Sequence, residues 1–104
     1  MNFYINFLVP STHVESVKNA MFAAGAGKLG NYVCCAFQTK GIGQFMPLAG
    51  SNAFIGKQDQ LEQVEEYKVE LICPEKFLEQ VINALKKNHP YEEPAYQVFR
   101  MENI

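Results

Sequence analysis

Residues 9–25, VPSTHVESVKNAMFAAG, and residues 73–89, CPEKFLEQVINALKKNH, align without a gap and share five identities in 17 positions. Pro10 falls on Pro74, Glu15 on Glu79, Val17 on Val81, Asn19 on Asn83 and Ala20 on Ala84. Each copy follows a strand-like run and passes through a proline into a helical pattern. That shared context makes the match a repeated β–α unit, and the repeat decides the fold.

Upstream of the first copy, Phe3, Ile5, Phe7 and Val9 alternate along NFYINFLV. Period-two apolar spacing puts one face of a strand on a core. Thr12 with Glu15 three residues on matches a capping box, in which two side chains satisfy the first free N–H groups of a helix. Val14, Val17, Met21 and Ala24 then form one apolar stripe, and Gly25 stands where a helix C-terminus favours glycine. The second copy repeats the scheme. Tyr67, Val69, Leu71 and Cys73 share a strand face, and Phe77, Leu78, Val81, Ile82 and Leu85 line the following helix. Lys86 and Lys87 sit in its last turn, where positive charge complements the helix dipole.

Two further runs, NYVCCAFQT (31–39) and AYQVFRM (95–101), read as strands. The order β-α-β, long loop, β-α-β predicts an α+β fold: a ferredoxin-like sandwich with two helices on one face of an antiparallel sheet. At 104 residues the chain is expected to be one domain, 1–104.

Bulk properties narrow the function. The net charge is −2 and the nine Lys and Arg are scattered, so no basic stripe offers itself to phosphates and nucleic acid is not an expected partner. No apolar run approaches the length of a membrane span, and MNFYINFLVPST has no basic leader before an apolar stretch, so neither membrane nor signal peptide is expected. Cys34, Cys35 and Cys73 are odd in number and make no disulfide framework. Free thiols suit a reducing compartment, which predicts a cytoplasmic protein.

GAGKLG (25–30) matches the letters of a dinucleotide-binding glycine motif. The motif works with a strand before it and a helix after it; here a helix precedes and a strand follows, so a helix-ending turn is the better reading. Residues 41–56, GIGQFMPLAGSNAFIG, form a long glycine-punctuated loop, and loops of that length are usually functional or disordered. Phe45, Met46, Leu48, Phe54 and Ile55 seek burial, which points to packing within the monomer or an oligomer, or to a pocket wall. Adjacent Cys34 and Cys35 would face opposite sides of a strand, and a structural role fits them. His13, beside the capping threonine, reads as surface histidine.

HPYEEP (89–94) admits two readings. Pro90 ends the second helix at or just before His89, Pro94 introduces the last strand, and Tyr91 lays its ring on the core with its hydroxyl wet. Alternatively His89 with Glu92 or Glu93 contacts a ligand or metal, although one histidine and two glutamates fall short of a full metal signature.

Taken together, GNY, the spaced pattern of GIGQFMPLAGSNAFIG, VEE and HPYEEPAY occur in an order that resembles the insertion domain of the Nif-three-like family, itself similar to CutA and PII-type proteins. The matching residues include Gly30, Asn31, Tyr32, Cys35, Phe45, Asn52, Phe54, His89, Tyr91, Glu92, Glu93 and Tyr96. The resemblance implies a CutA/PII-like ferredoxin fold and trimers with clefts between loops. Long members carry the module between two halves of a larger domain that supplies a dinuclear metal site from His, Asp and Glu. Those halves do not occur in this sequence, so the resemblance supports the fold and withholds that metal centre, and with it any cyclohydrolase-like label. Two departures, Cys34 where the pattern often has histidine and Gln97 where it often has aspartate, remove groups that metal or proton chemistry would use.

The expectation is therefore a non-catalytic ligand-binding or regulatory module acting as a homo-oligomer, a trimer by resemblance. No cofactor and no catalytic residue is assigned, and the ligand contacts are Asn31, Tyr32, Phe45, Asn52, His89, Tyr91, Glu92 and Glu93. The competing expectation is a metal-binding or metal-dependent hydrolase-type protein that holds a divalent ion with His89, Glu93 and Cys35, with Glu92 as base. A third is an adaptor for a separate protein carrying the family's metal domain.

Overall fold

The computed structural model describes residues Met1–Ile104. Strand β1 (Asn2–Pro10) leads into helix α1 (Val14–Ala24), then β2 (Phe37–Phe45), β3 (Glu62–Pro74), helix α2 (Leu78–Asn88) and β4 (Tyr96–Arg100). The sheet order is β2-β3-β1-β4 with every neighbouring pair antiparallel. Each β–α–β unit is thus split by a strand of the other, which is the ferredoxin-like arrangement expected from the repeat.

Register follows the alternation. Phe3, Ile5, Phe7 and Val9 stand opposite Cys73, Leu71, Val69 and Tyr67, and this face meets Val14, Val17, Met21, Val81 and Leu85 of the helices in one core. A one-residue slip would turn every one of these side chains to the other face, so the core pins the pairing. The two helices pack closely because Gly25 lies under Phe77 and a Cβ there would overlap the ring. Gly25 also ends α1 at φ 122, a conformation side chains resist, and receives support from the Gln80 amide donating to Ala24 O at 2.6 Å. No helix is long and apolar enough to cross a membrane.

Three local expectations are corrected. First, the second strand is Phe37–Phe45, not 31–39. Residues 27–36 turn instead: Gly27, Gly30 and Cys34 all have positive φ, and Leu29 pairs with Tyr32 across a tight bridge. Cys34 and Cys35 therefore lie off the sheet. Second, the capping box does not form. The helix starts at Val14 with His13 at its N-cap, and the Thr12 hydroxyl bonds the His13 ring at 2.8 Å. Third, His13 is half-buried, because its ring packs edge-on against Phe54 at 5.4 Å.

β3 is the longest strand, and its first residues outrun β1. Pro10 is opposite Glu66 and the Ser11 N–H still reaches Glu65 O at 3.2 Å, so Glu62–Val64 pair only with Gly43–Phe45. The result is a two-stranded ribbon that extends past the body of the sheet and gives the molecule extents of 46 × 24 × 24 Å. Residues 46–61 connect the strands at its tip.

Candidate functional site

The face of the sheet turned away from the helices carries the site. There β3 presents Glu66, flanked on β2 by Gly41 and Gly43 and on β1 by Leu8. Gly43 makes room for it, because a Cβ at this position would occupy the space of the Glu66 carboxylate. With no side chain in the way, Glu66 lies flat across the ribbon and is buried to 7 % exposure. Its Oε2 accepts the Tyr91 hydroxyl at 2.7 Å. Oε1 has no donor within the protein and stays in contact with solvent.

HPYEEP supplies the opposite wall, and its residues hold one another in place. α2 stops at Asn88, and His89 turns to extended backbone ahead of Pro90, as expected for a residue preceding proline. The buried His89 ring uses both nitrogens. The Tyr91 backbone N–H donates to Nδ1 at 3.1 Å, which makes Nδ1 the unprotonated nitrogen, and Nε2 donates to Leu8 O at 2.7 Å. Burial pushes the His89 pKa below its ordinary 6.5, with partial opposition from the Leu8 carbonyl and Glu66, so the neutral ring is the resting form. Burial and the Glu66 carboxylate both raise the Tyr91 phenol pKa, keeping it protonated and able to donate.

The long loop closes the space between these walls. Glu92 accepts the Asn52 backbone N–H at 3.0 Å. Phe45 and Phe54 approach the Tyr91 ring at 6.0 and 6.4 Å between centroids. The half-open cleft between them has a volume of about 320 Å³, with Leu8, Phe45, Pro47, Phe54 and Tyr91 among its apolar walls and Glu66 on its floor. Glu92, Glu93, Gln44 and Ser51 complete the polar lining, which includes no lysine, arginine or histidine.

Of the residues selected from sequence, Phe45, Tyr91, Glu92 and Glu93 line this cleft, Asn52 contributes its backbone beside it, and His89 lies beneath as a support. Asn31, Tyr32 and Cys35 do not come to it. Cys35 N–H bonds Gly27 O, and Gly27 N–H bonds Ile72 O. Ile72 faces Tyr4 on β1, whereas His89 meets Leu8. Four strand residues separate the two places, roughly 13 Å along β1. The expected ligand set of His89, Glu93 and Cys35 is not brought together: Cys35 lies at the other end of the sheet from His89 and Glu93, and both nitrogens of the histidine ring are engaged. No group of three His, Cys, Asp or Glu converges anywhere in the chain.

Sequence reasoning missed Glu66, which sits in VEEYKVE and looks like one more solvated strand carboxylate. The available signal was Gly41 and Gly43 two apart on one strand face, since strand glycines mark sites where something else approaches the backbone closely.

Comparison with known proteins bears on the fold. The protein "GTP cyclohydrolase 1 type 2 homolog" of Halalkalibacterium halodurans is 50% identical over 95 residues, 91% of this chain and 26% of the relative. A crystal structure of a Bacillus cereus protein related to NIF3 superposes with a TM-score of 0.82 at 41% identity, covering 98% of this chain and 26% of that one. The chain is homologous to one segment of the Nif-three-like proteins. It spans about a quarter of the length of the curated relatives it matches. This chain shares its fold with the periplasmic divalent cation tolerance protein CutA from Archaeoglobus fulgidus, at TM-score 0.69 and 15% identity over 99% of this chain and 86% of that one. The ferredoxin-like, CutA/PII-like class expected from the sequence is the fold observed. No protein-family model matches the chain.

Proposed function

We propose that this chain is a non-catalytic ligand-binding or regulatory module that works as a homo-oligomer and seats its ligand in the cleft between residues 46–61 and His89–Pro94. The observation that carries the proposal is the meeting of two remote segments around one cavity of about 320 Å³. That volume is at the lower end of the range for small-molecule sites, and its mainly apolar walls with a few polar groups have the usual composition of such sites.

The homo-oligomer, a trimer in our reading, is supported by the ribbon. A two-stranded hairpin alone is marginal in water, and here Ile42 on the ribbon is 76% exposed. Phe99, Tyr4 and Ile72 also form a cross-strand row on the helix-free face. A second copy is the simplest cover for both. Size-exclusion chromatography with light scattering at micromolar protein should give the mass of three 11.8 kDa chains. A clean monomer would remove the oligomer from the proposal.

A second reading is favoured by the relatives' length. Because this chain spans about a quarter of them, the helix-free face could instead dock onto a protein carrying the rest of that architecture, including its metal domain. Any cyclohydrolase-like activity would then belong to the assembly. Co-purification of such a protein at fixed stoichiometry from the native source would favour this adaptor role.

A further inference from the structure

We infer that the cleft takes a small organic cation, an ammonium group carried on a compact apolar body. This deepens the proposal above and rests on the cleft being a ligand seat. Three carboxylates, Glu66, Glu92 and Glu93, line the cavity without a single Lys or Arg. None of the three belongs to either ion pair in the molecule, which are Glu15 with Lys18 and Glu65 with Lys40. Glu66 is the telling one. At 7 % exposure it has a single protein donor, the Tyr91 hydroxyl, and its second oxygen remains open. A carboxylate withdrawn from water this far gains from a cationic partner.

The walls select the kind of cation. Phe45, Phe54 and Tyr91 bring three aromatic rings around the same space, and aromatic faces attract ammonium groups within about 6 Å of the ring centroid by their quadrupole. A hard metal ion would instead need several convergent oxygen ligands, and no set of three His, Cys, Asp or Glu converges here. Carboxylate floor and aromatic walls together match an ammonium that buries its methyl or methylene groups.

The test is titration of the full chain, followed by amide NMR, with choline, its uncharged isostere 3,3-dimethylbutan-1-ol, and benzoate. Choline should shift the amides of Glu66, Tyr91 and Phe54 saturably and bind at least tenfold more tightly than either other probe. Glu66→Gln, which can still accept the Tyr91 hydroxyl, should erase most of that preference while leaving the remaining amide spectrum in place. Glu93→Gln, an exposed change with no bearing on folding, should weaken choline by a smaller factor. If the isostere or benzoate binds as well as choline, the cation is refuted and the cleft remains a ligand seat. If none of the three moves the cleft amides, both the cation and the seat are refuted.

Discussion

Tyr91 and Glu66 are 25 residues apart in sequence and 2.7 Å apart in space, joined by a hydrogen bond from the phenol to the carboxylate. This bond ties the turn after α2 to β3 and defines one side of the cleft. Tyr91→Phe keeps the ring contacts and removes the only protein donor to a buried carboxylate. Leaving such a group unsatisfied costs about 1–3 kcal/mol. Urea denaturation should show a loss of that size, and Tyr91→Phe combined with Glu66→Ala, which removes the acceptor, should lose less than the two single changes added together. Strict additivity would mean the bond contributes nothing to stability.

Gly43 holds the space into which the Glu66 carboxylate folds. Gly43→Ala should force that carboxylate off its bed and destabilise the chain by about 1–3 kcal/mol, the usual cost of overpacking. Trimming the obstacle should rescue it: Gly43→Ala with Glu66→Ala should recover part of the loss in a double-mutant cycle. The same substitution at Gly41, where an added Cβ meets nothing, serves as the control and should cost less.

His89 sets a pH dependence. Its folded pKa lies below 6.5 because the ring is buried, so the unfolded chain takes up a proton at a higher pH than the folded one. The stabilisation is complete above the unfolded value of 6.5 and declines as pH falls from there through the lowered folded value. Protonation at Nδ1 would also set two donors against each other at the Tyr91 N–H. Thermal melts between about pH 7.5 and 5 should therefore show a falling midpoint, and His89→Gln should flatten that slope. An identical slope in both proteins would assign the dependence to other groups.

Glu92 and the Asn52 amide connect segments 40 residues apart across the mouth of the cleft. Both are exposed, so the bond governs local opening more than global stability. Glu92→Ala should speed hydrogen exchange of the Asn52 amide by roughly two- to tenfold, the equivalent of about 0.5–1.5 kcal/mol. Amides in β1 and β3 should keep their protection. Unchanged exchange at Asn52 would show the loop to be held by its aromatic contacts alone.

Much of the fold was legible in local pattern. Alternation in NFYINFLV and EEYKVELIC marked β1 and β3, the three-and-four spacing marked both helices, and Gly25 and Pro90 marked where the helices stop. The second strand differs from its expected place for a physical reason. NYVCCAF has the composition of a strand, and GIG does not, but strand formation depends on the neighbour more than on propensity. β3 pairs with Phe37–Phe45, and positive φ at Gly27, Gly30 and Cys34 turns the residues before it. Thr12 likewise had a capping signature that the actual helix start, one residue beyond His13, leaves unused.

By itself, then, the sequence determined which faces of the strands and helices are apolar, and with them the β-α-β-β-α-β architecture. It also marked two segments, residues 41–56 and HPYEEP, as unusual. Periodicity carries that information because it reflects contacts between near neighbours along one element. Tertiary structure alone decided that these segments meet, that Glu66 lies between them over Gly43, and that His89 commits both nitrogens to backbone partners. It also decided that Cys35 sits at the other end of the sheet. Those facts depend on register and on the reach of side chains between distant residues, which no local spacing encodes.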